Sequence, residues 1–131
     1  MKVLVIDDNP DFLRLFRLYA EEISNIEFIY TESGEDGLNL LADDRNQEIS
    51  IIASDIRMPK MSGIELLNIV KKNYPNIPVI LITGLEINYL SNYGIDLDLM
   101  DVVSKDIGIK GIISKIEKGV ILQLKGVLIK Y

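Results

Sequence analysis

The residues best able to do chemistry fall just past short apolar runs. Asp7 and Asp8 follow Val3–Ile6, Asp55 follows Ile49–Ala53, Thr83 follows Val79–Ile82, and Lys105 follows Asp101–Ser104. Carboxylates, a hydroxyl and an ammonium can together hold a divalent cation and a phosphoryl group, with one carboxylate as nucleophile. Other chemistries are closed by composition. The chain has no Cys and no His, which removes disulfides, zinc sites of the usual kind, Cys nucleophiles and every His-based triad. Any metal must be held by oxygen ligands, which points to magnesium, calcium or manganese.

The elements that carry these residues alternate along the chain. Val3–Ile6 is a continuous apolar, β-prone run, the pattern of a strand covered on both faces. Asp8 or Asn9 suits the N-cap of a following helix and Pro10 its first turn. Phe12, Leu13, Leu15, Phe16, Tyr19, Ala20 and Ile23 recur at helical spacing. Ile26–Thr31 reads as a second strand, and Ser33-Gly34-Glu35 opens a short helix carrying Leu38, Leu40 and Leu41. Ile49–Ala53 is a third strand, closed by Asp55; Ser62 caps a helix through Ile64, Leu67 and Val70 that ends near Tyr74-Pro75. Val79–Ile82 is a fourth strand, residues 86–93 have the composition of a weak helix, and Asp101–Ser104 is a fifth strand with a final helix from Ile107. Five alternations of strand and helix predict a doubly wound α/β domain with a parallel sheet and helices on both faces.

A chain of 131 residues fits one domain, and 48% apolar with 26% charged residues reads as soluble and globular. The strongly apolar runs are strand-sized, far short of the roughly 18 residues that cross a bilayer. No signal-peptide pattern follows Met1-Lys2, so no membrane association and a cytoplasmic location are expected. Net charge is −6; six lysines against two acids give residues 105–131 a net +4 and leave −10 on residues 1–104. Direct nucleic-acid binding is not expected of so acidic a chain.

In doubly wound folds, ligands lie beyond the carboxyl ends of the strands. Each candidate alone has a plainer explanation: Asp8 as a helix cap, Asp55 as a turn starter, Thr83 as a routine hydroxyl and Lys105 as a surface lysine. Together they supply matching chemistry from four of five strand ends. Three carboxylates in one place repel unless a cation compensates, and Mg²⁺ characteristically takes a few carboxylates plus phosphate oxygens. With Asp55 as nucleophile, Lys105 and Thr83 holding the phosphoryl oxygens would support formation of an aspartyl phosphate. Pro59 and Gly63 would then turn the chain away into the next helix.

The segments "VLVIDD", "SDIRMPKMSG", "PVILITG" and Ser104-Lys105 resemble the receiver domain of two-component response regulators, over residues 1 to about 122. The resemblance implies a flavodoxin-like, five-stranded parallel sheet of order 2-1-3-4-5, with residues 123–131 as an extension of the last helix or a tail. It also implies that Asp55 is the phosphoacceptor. Asp8 and Asp55 would bind Mg²⁺ directly, Asp7 through water and Arg57 through its backbone carbonyl, while Thr83 and Lys105 contact the phosphoryl group. The implied donor is a phosphohistidine on a sensor histidine kinase or phosphotransfer protein. Such a domain is a phosphoacceptor that assists its own phosphorylation and dephosphorylation, not a conventional enzyme. The implied output face comprises the helix before the fifth strand, that strand and the final helix, for a homodimer or a downstream protein.

Three positions depart from the family pattern. Asp106 stands where Pro is usual after the Lys, which predicts a trans peptide and a differently aimed Lys105. Val102 replaces the usual aromatic switch residue, and Asp98-Leu99 replaces a usual Gly-Ala pair. All three lie around the output face. Ile109, Ile112, Ile113, Ile116, Val120, Leu124, Val127 and Leu128 keep a helical period past the point where a receiver usually ends, as a frayed last helix or as a seam for a partner or for self-association. Two other functions compete. One is a receiver-like interaction module independent of phosphorylation, suggested by Val102 and Asp106. The other is a Mg²⁺-dependent dehalogenase-like phosphohydrolase, a class whose acids after strand 1 are one residue apart, whereas Asp7 and Asp8 are adjacent.

Overall fold

The strand ends set the geometry of the molecule. A computed structural model describes residues 1–84 and 101–126. In chain order the elements are β1 (Lys2–Ile6), α1 (Pro10–Ile23), β2 (Glu27–Thr31), α2 (Gly34–Asp43), β3 (Ile49–Asp55), α3 (Gly63–Asn73), β4 (Val79–Thr83), β5 (Asp101–Ser104) and α4 (Gly108–Leu124). The strands form one sheet of order β2-β1-β3-β4-β5, and each recorded pairing is parallel. This is the topology expected from sequence. Residues 86–93, Asp98, Leu99, Val127 and Leu128, on which some expectations fall, lie outside the described residues.

The apolar runs are continuous because the central strands feed two cores. On one face Val3, Val5, Ile51, Ala53, Ile80, Ile82 and Val103 pack with Leu13, Phe16 and Ala20 of α1 and Ile112, Ile113 and Ile116 of α4. On the other, Leu4, Ile6, Ile52, Val79 and Leu81 pack with Leu41 of α2 and Leu66, Leu67 and Val70 of α3. Successive side chains of a strand point to opposite faces, so covering both faces requires apolar residues throughout. Val102 belongs to the second core, opposite Leu81 in the ladder.

Local signals fix where the helices begin. Asn9 caps α1, its side-chain oxygen accepting the N–H groups of Asp11 and Phe12 at 3.0 and 3.3 Å. Ser33 caps α2 and Ser62 caps α3, each at 3.1 Å. The start of α4 differs from expectation. A single 3₁₀ turn, Lys105–Ile107, intervenes between β5 and the helix, and Ser104 Oγ accepts the Asp106 N–H at 3.1 Å. Two smaller shifts accompany it: β2 begins at Glu27 instead of Ile26, and β3 continues through Asp55. At its far end α4 is tied to the sheet by Gln123, whose Nε2 donates to the Ser50 carbonyl at 2.8 Å.

Candidate functional site

The carboxyl edge of the parallel sheet gathers the predicted residues. Asp55 is the last residue of β3 and stands opposite Ile82 in β4, so Thr83 is one residue further along the neighbouring strand. Thr83 in turn stands opposite Ser104 of β5, and Lys105 follows directly. Asp7 and Asp8 come just after β1, which pairs with β3 on its other side. Asp7, Asp8 and Asp55 each offer a carboxylate oxygen within 4.8 Å of the others.

Two of the plainer explanations do not hold. The cap of α1 is Asn9, so Asp8 is not spent on helix capping and its exposed carboxylate joins the cluster. Lys105 is no loose surface lysine. Its Nζ lies 2.9 Å from Asp7 Oδ2 and 3.6 Å from Asp55 Oδ2. The trans peptide expected from Asp106 is found, since the described peptide bonds are all trans, and from it Lys105 reaches both acids. The turn explanation for Asp55 is half right. Its Oδ1 accepts the Ile56 N–H at 2.9 Å, while Oδ2 is the oxygen nearest the lysine.

Burial gives these charges their leverage. Asp7 is 1% exposed and Asp55 8%. Asp7 Oδ1 accepts the Asn9 N–H at 2.9 Å, while among the described residues the partner of Oδ2 is the Lys105 ammonium, an ionic contact at 2.9 Å. Desolvation pushes the Asp55 carboxyl up to about 6, with the Asp7 charge adding to it, Lys105 and the Ile56 N–H opposing it, and Asp8 contributing least. Three carboxylates against one ammonium leave an excess of two negative charges. A buried Asp7 oxygen that shares its neighbouring ammonium with Asp55, an all-oxygen donor set and that charge excess fit a hard divalent cation.

The loop after Asp55 explains the glycine and proline of the opening motif. Gly63 N–H donates to the Ile56 carbonyl at 2.8 Å and Met61 N–H to the Pro59 carbonyl at 2.7 Å, folding residues 56–63 tightly back. A Cβ at position 63 would overlap the carbonyl oxygen of Asp55, so only glycine permits this approach. Lys60 takes up the reversal at φ +66°, an uncommon conformation for a residue with a side chain. Arg57, exposed in this loop, is two residues beyond Asp55. One contributor escaped sequence reasoning. The Phe12 ring, assigned there to the helix's apolar face, lies 4.5 Å from Lys105 Nζ.

Residues 3–117 match the family described as response regulator receiver domain, and the chain belongs to that family. A chemotaxis protein CheY homolog of Campylobacter jejuni is 29% identical over 85 residues, covering 63% of this chain and 64% of that protein. A probable cyclic di-GMP phosphodiesterase of Vibrio cholerae is 32% identical over 109 residues, covering 82% of this chain but 24% of that longer protein. The chain thus spans less than two thirds of either relative. Among solved structures, the signal receiver domain of an HD domain-containing protein from Pseudomonas fluorescens superposes with a TM-score of 0.78 at 20% identity, covering 95% of this chain and 90% of that one. That likeness shows the fold. This is a receiver domain of two-component systems, a family that is not a classical enzyme class, and the phosphohydrolase reading is set aside.

Proposed function

We propose that the chain accepts a phosphoryl group on Asp55 from the phosphohistidine of a sensor histidine kinase or phosphotransfer protein. The observation that carries this reading is the meeting of Asp7, Asp8 and Asp55 within 4.8 Å, with Lys105 at 2.9 and 3.6 Å from two of them. Asp55 Oδ2 attacks phosphorus, an oxygen–phosphorus bond forms, the phosphorus–nitrogen bond breaks, and the electron pair leaves on the donor imidazole. Lys105 compensates negative charge on the phosphoryl oxygens, and Thr83, 1% exposed on the adjacent strand end, offers its hydroxyl. Mg²⁺ would be held by Asp8 and Asp55, by Asp7 through water and by the Arg57 main-chain carbonyl, and would neutralise the acids and the incoming phosphoryl group. The same residues would assist hydrolysis of the acyl phosphate.

Residues 1–122 form the receiver and 123–131 its extension, with output through β5, α4 and the segment before β5 to a second copy or a downstream protein. The chain's place of action is taken to be the cytoplasm, and among the described residues no helix is long and apolar enough to cross a membrane. Intact-mass spectrometry after incubation with acetyl phosphate tests the reading. One phosphoryl group gained with Mg²⁺, and none without it or in Asp55→Asn, is the expected result. No gain by folded wild-type protein would move the reading to a phosphorylation-independent interaction module, which Val102 in place of an aromatic switch residue favours.

A further inference from the structure

Lys105 is anchored from three directions, and one of them is not an acid. A lysine stem has four rotatable bonds, and two carboxylates at 2.9 and 3.6 Å compete for its ammonium. The third neighbour is the Phe12 ring, with Nζ 4.5 Å from its centroid, inside the range of a cation–ring attraction. With 26% of the Lys105 side chain exposed, water screens this contact only partly.

The ring is itself held. Phe12 lies in the first turn of α1, where Asn9 accepts its N–H at 3.3 Å. Its centroid is 6.1 Å from that of Phe16, and Phe16 packs edge-on against Phe28 at 5.3 Å and Tyr30 at 6.0 Å. Phe16 is fully buried. The aromatic row therefore runs from β2 through α1 to the lysine and fixes the ring face that the ammonium meets. Aromatic pairs of this kind prefer defined orientations, so the platform is more rigid than an aliphatic residue of similar size.

We infer that Phe12 is a positioning residue for Lys105: its ring holds the ammonium at the rim of the acidic cluster, where it reaches Asp7 and Asp55 together. Phe12 makes this contribution through the lysine and needs no contact with the phosphoryl group. The part of the test that reads phosphorylation rests on the function proposed above; the spectroscopic part does not.

The experiment compares Phe12→Leu and Phe12→Tyr in the full chain, each in the wild-type and Lys105→Met backgrounds, after thermal unfolding shows that each is folded. The Lys105 ε-methylene protons should resonate upfield of the other lysines through the ring current, keep that shift in Phe12→Tyr and lose it in Phe12→Leu. The half-saturating acetyl phosphate concentration should rise about 5- to 10-fold in Phe12→Leu, the scale of one partly desolvated cation–ring contact, and return in Phe12→Tyr. In the Lys105→Met background, Phe12→Leu should change nothing further. A Lys105 signal without the upfield shift in wild type would overturn the inference, as would an equal effect of Phe12→Leu in both backgrounds, which marks mere packing. If Phe12→Leu does not fold, Phe12→Met takes its place. Should the wild type take no phosphoryl group, the function fails while the resonance still decides the positioning.

Discussion

A side chain on Gly63 would begin at the carbonyl oxygen of Asp55: a Cβ there would overlap that oxygen, so the backbone of residue 63 sits where only glycine fits. The start of α3 is thereby clamped to the end of β3, and Asp55 is held with one carboxylate oxygen on the Ile56 N–H and the other near Lys105. Gly63→Ala would force the loop or the strand end to move. It should lower the unfolding free energy by about 1–3 kcal/mol, the scale of overpacking at a rigid backbone contact. Urea unfolding measures the loss, and a Gly63→Ala protein as stable as wild type would show that the clamp is slack.

The raised Asp55 pKa predicts an inverted pH dependence for metal-free protein. In the unfolded chain the carboxyl gives up its proton near 3.8, whereas in the fold it does so near 6. Below both values the two states bind the proton alike. Between them the unfolded state has already lost it, so stability falls as pH rises from about 4 to about 6, then levels. The Asp55 share is at most about 3 kcal/mol and is isolated by subtracting the same curve for Asp55→Asn. Saturating Mg²⁺, which favours the ionised carboxylates, should reduce or reverse the slope. Thermal melts across that window in chelator and in Mg²⁺ are the measurement.

Much of this was legible in the sequence because burial on both faces writes itself as unbroken apolar strands. Val3–Ile6, Ile49–Ala53 and Val79–Ile82 appear in both cores by alternation, and the acids and the threonine beyond them mark the carboxyl edge. Spacing could not show which of Asp8 and Asn9 caps α1; that depends on which side chain reaches the Asp11 N–H. Nor could it show the 3₁₀ turn at Lys105, which Ser104 Oγ supports through the Asp106 N–H. Phe12 was absorbed into a helical stripe because periodicity reports which face a residue occupies and not what meets it there. Spacing alone marks Gly63 as a turn former, whereas a Cβ there would overlap a residue eight positions earlier.

Metal binding should be visible without any phosphoryl donor. Ligand sets like this one stabilise a fold by mass action, about 2.7 kcal/mol at a hundred times the dissociation constant. Wild-type protein should therefore melt at higher temperature in Mg²⁺ than in chelator. Asp8 is exposed and makes no cap, so Asp8→Asn should leave the metal-free fold intact while weakening Mg²⁺ affinity about tenfold or more. Calorimetric titration of Mg²⁺ into both proteins reads the difference. Equal affinities would remove Asp8 from the ligand set.

Asp7 and Lys105 carry the last prediction. Asp7 is almost wholly buried, and the Lys105 ammonium at 2.9 Å is the recorded ion-pair partner of its Oδ2. Lys105→Met keeps most of the stem and removes the charge, leaving three carboxylates with no cation in metal-free protein. Truncating one partner of a buried pair strands the other, at a cost of about 3–5 kcal/mol when both are sealed from water. Lys105 is about a quarter exposed, so roughly 1–3 kcal/mol is expected here. Mg²⁺ should recover most of that loss, because the cation then neutralises the same acids. Phosphorylation by acetyl phosphate should stay slow even in Mg²⁺, since the metal does not replace an ammonium placed beside Asp55 Oδ2. Stability rescued without rate is the signature of a lysine with both an electrostatic and a phosphoryl-binding role; rate rescued along with stability would reduce Lys105 to a structural counter-charge.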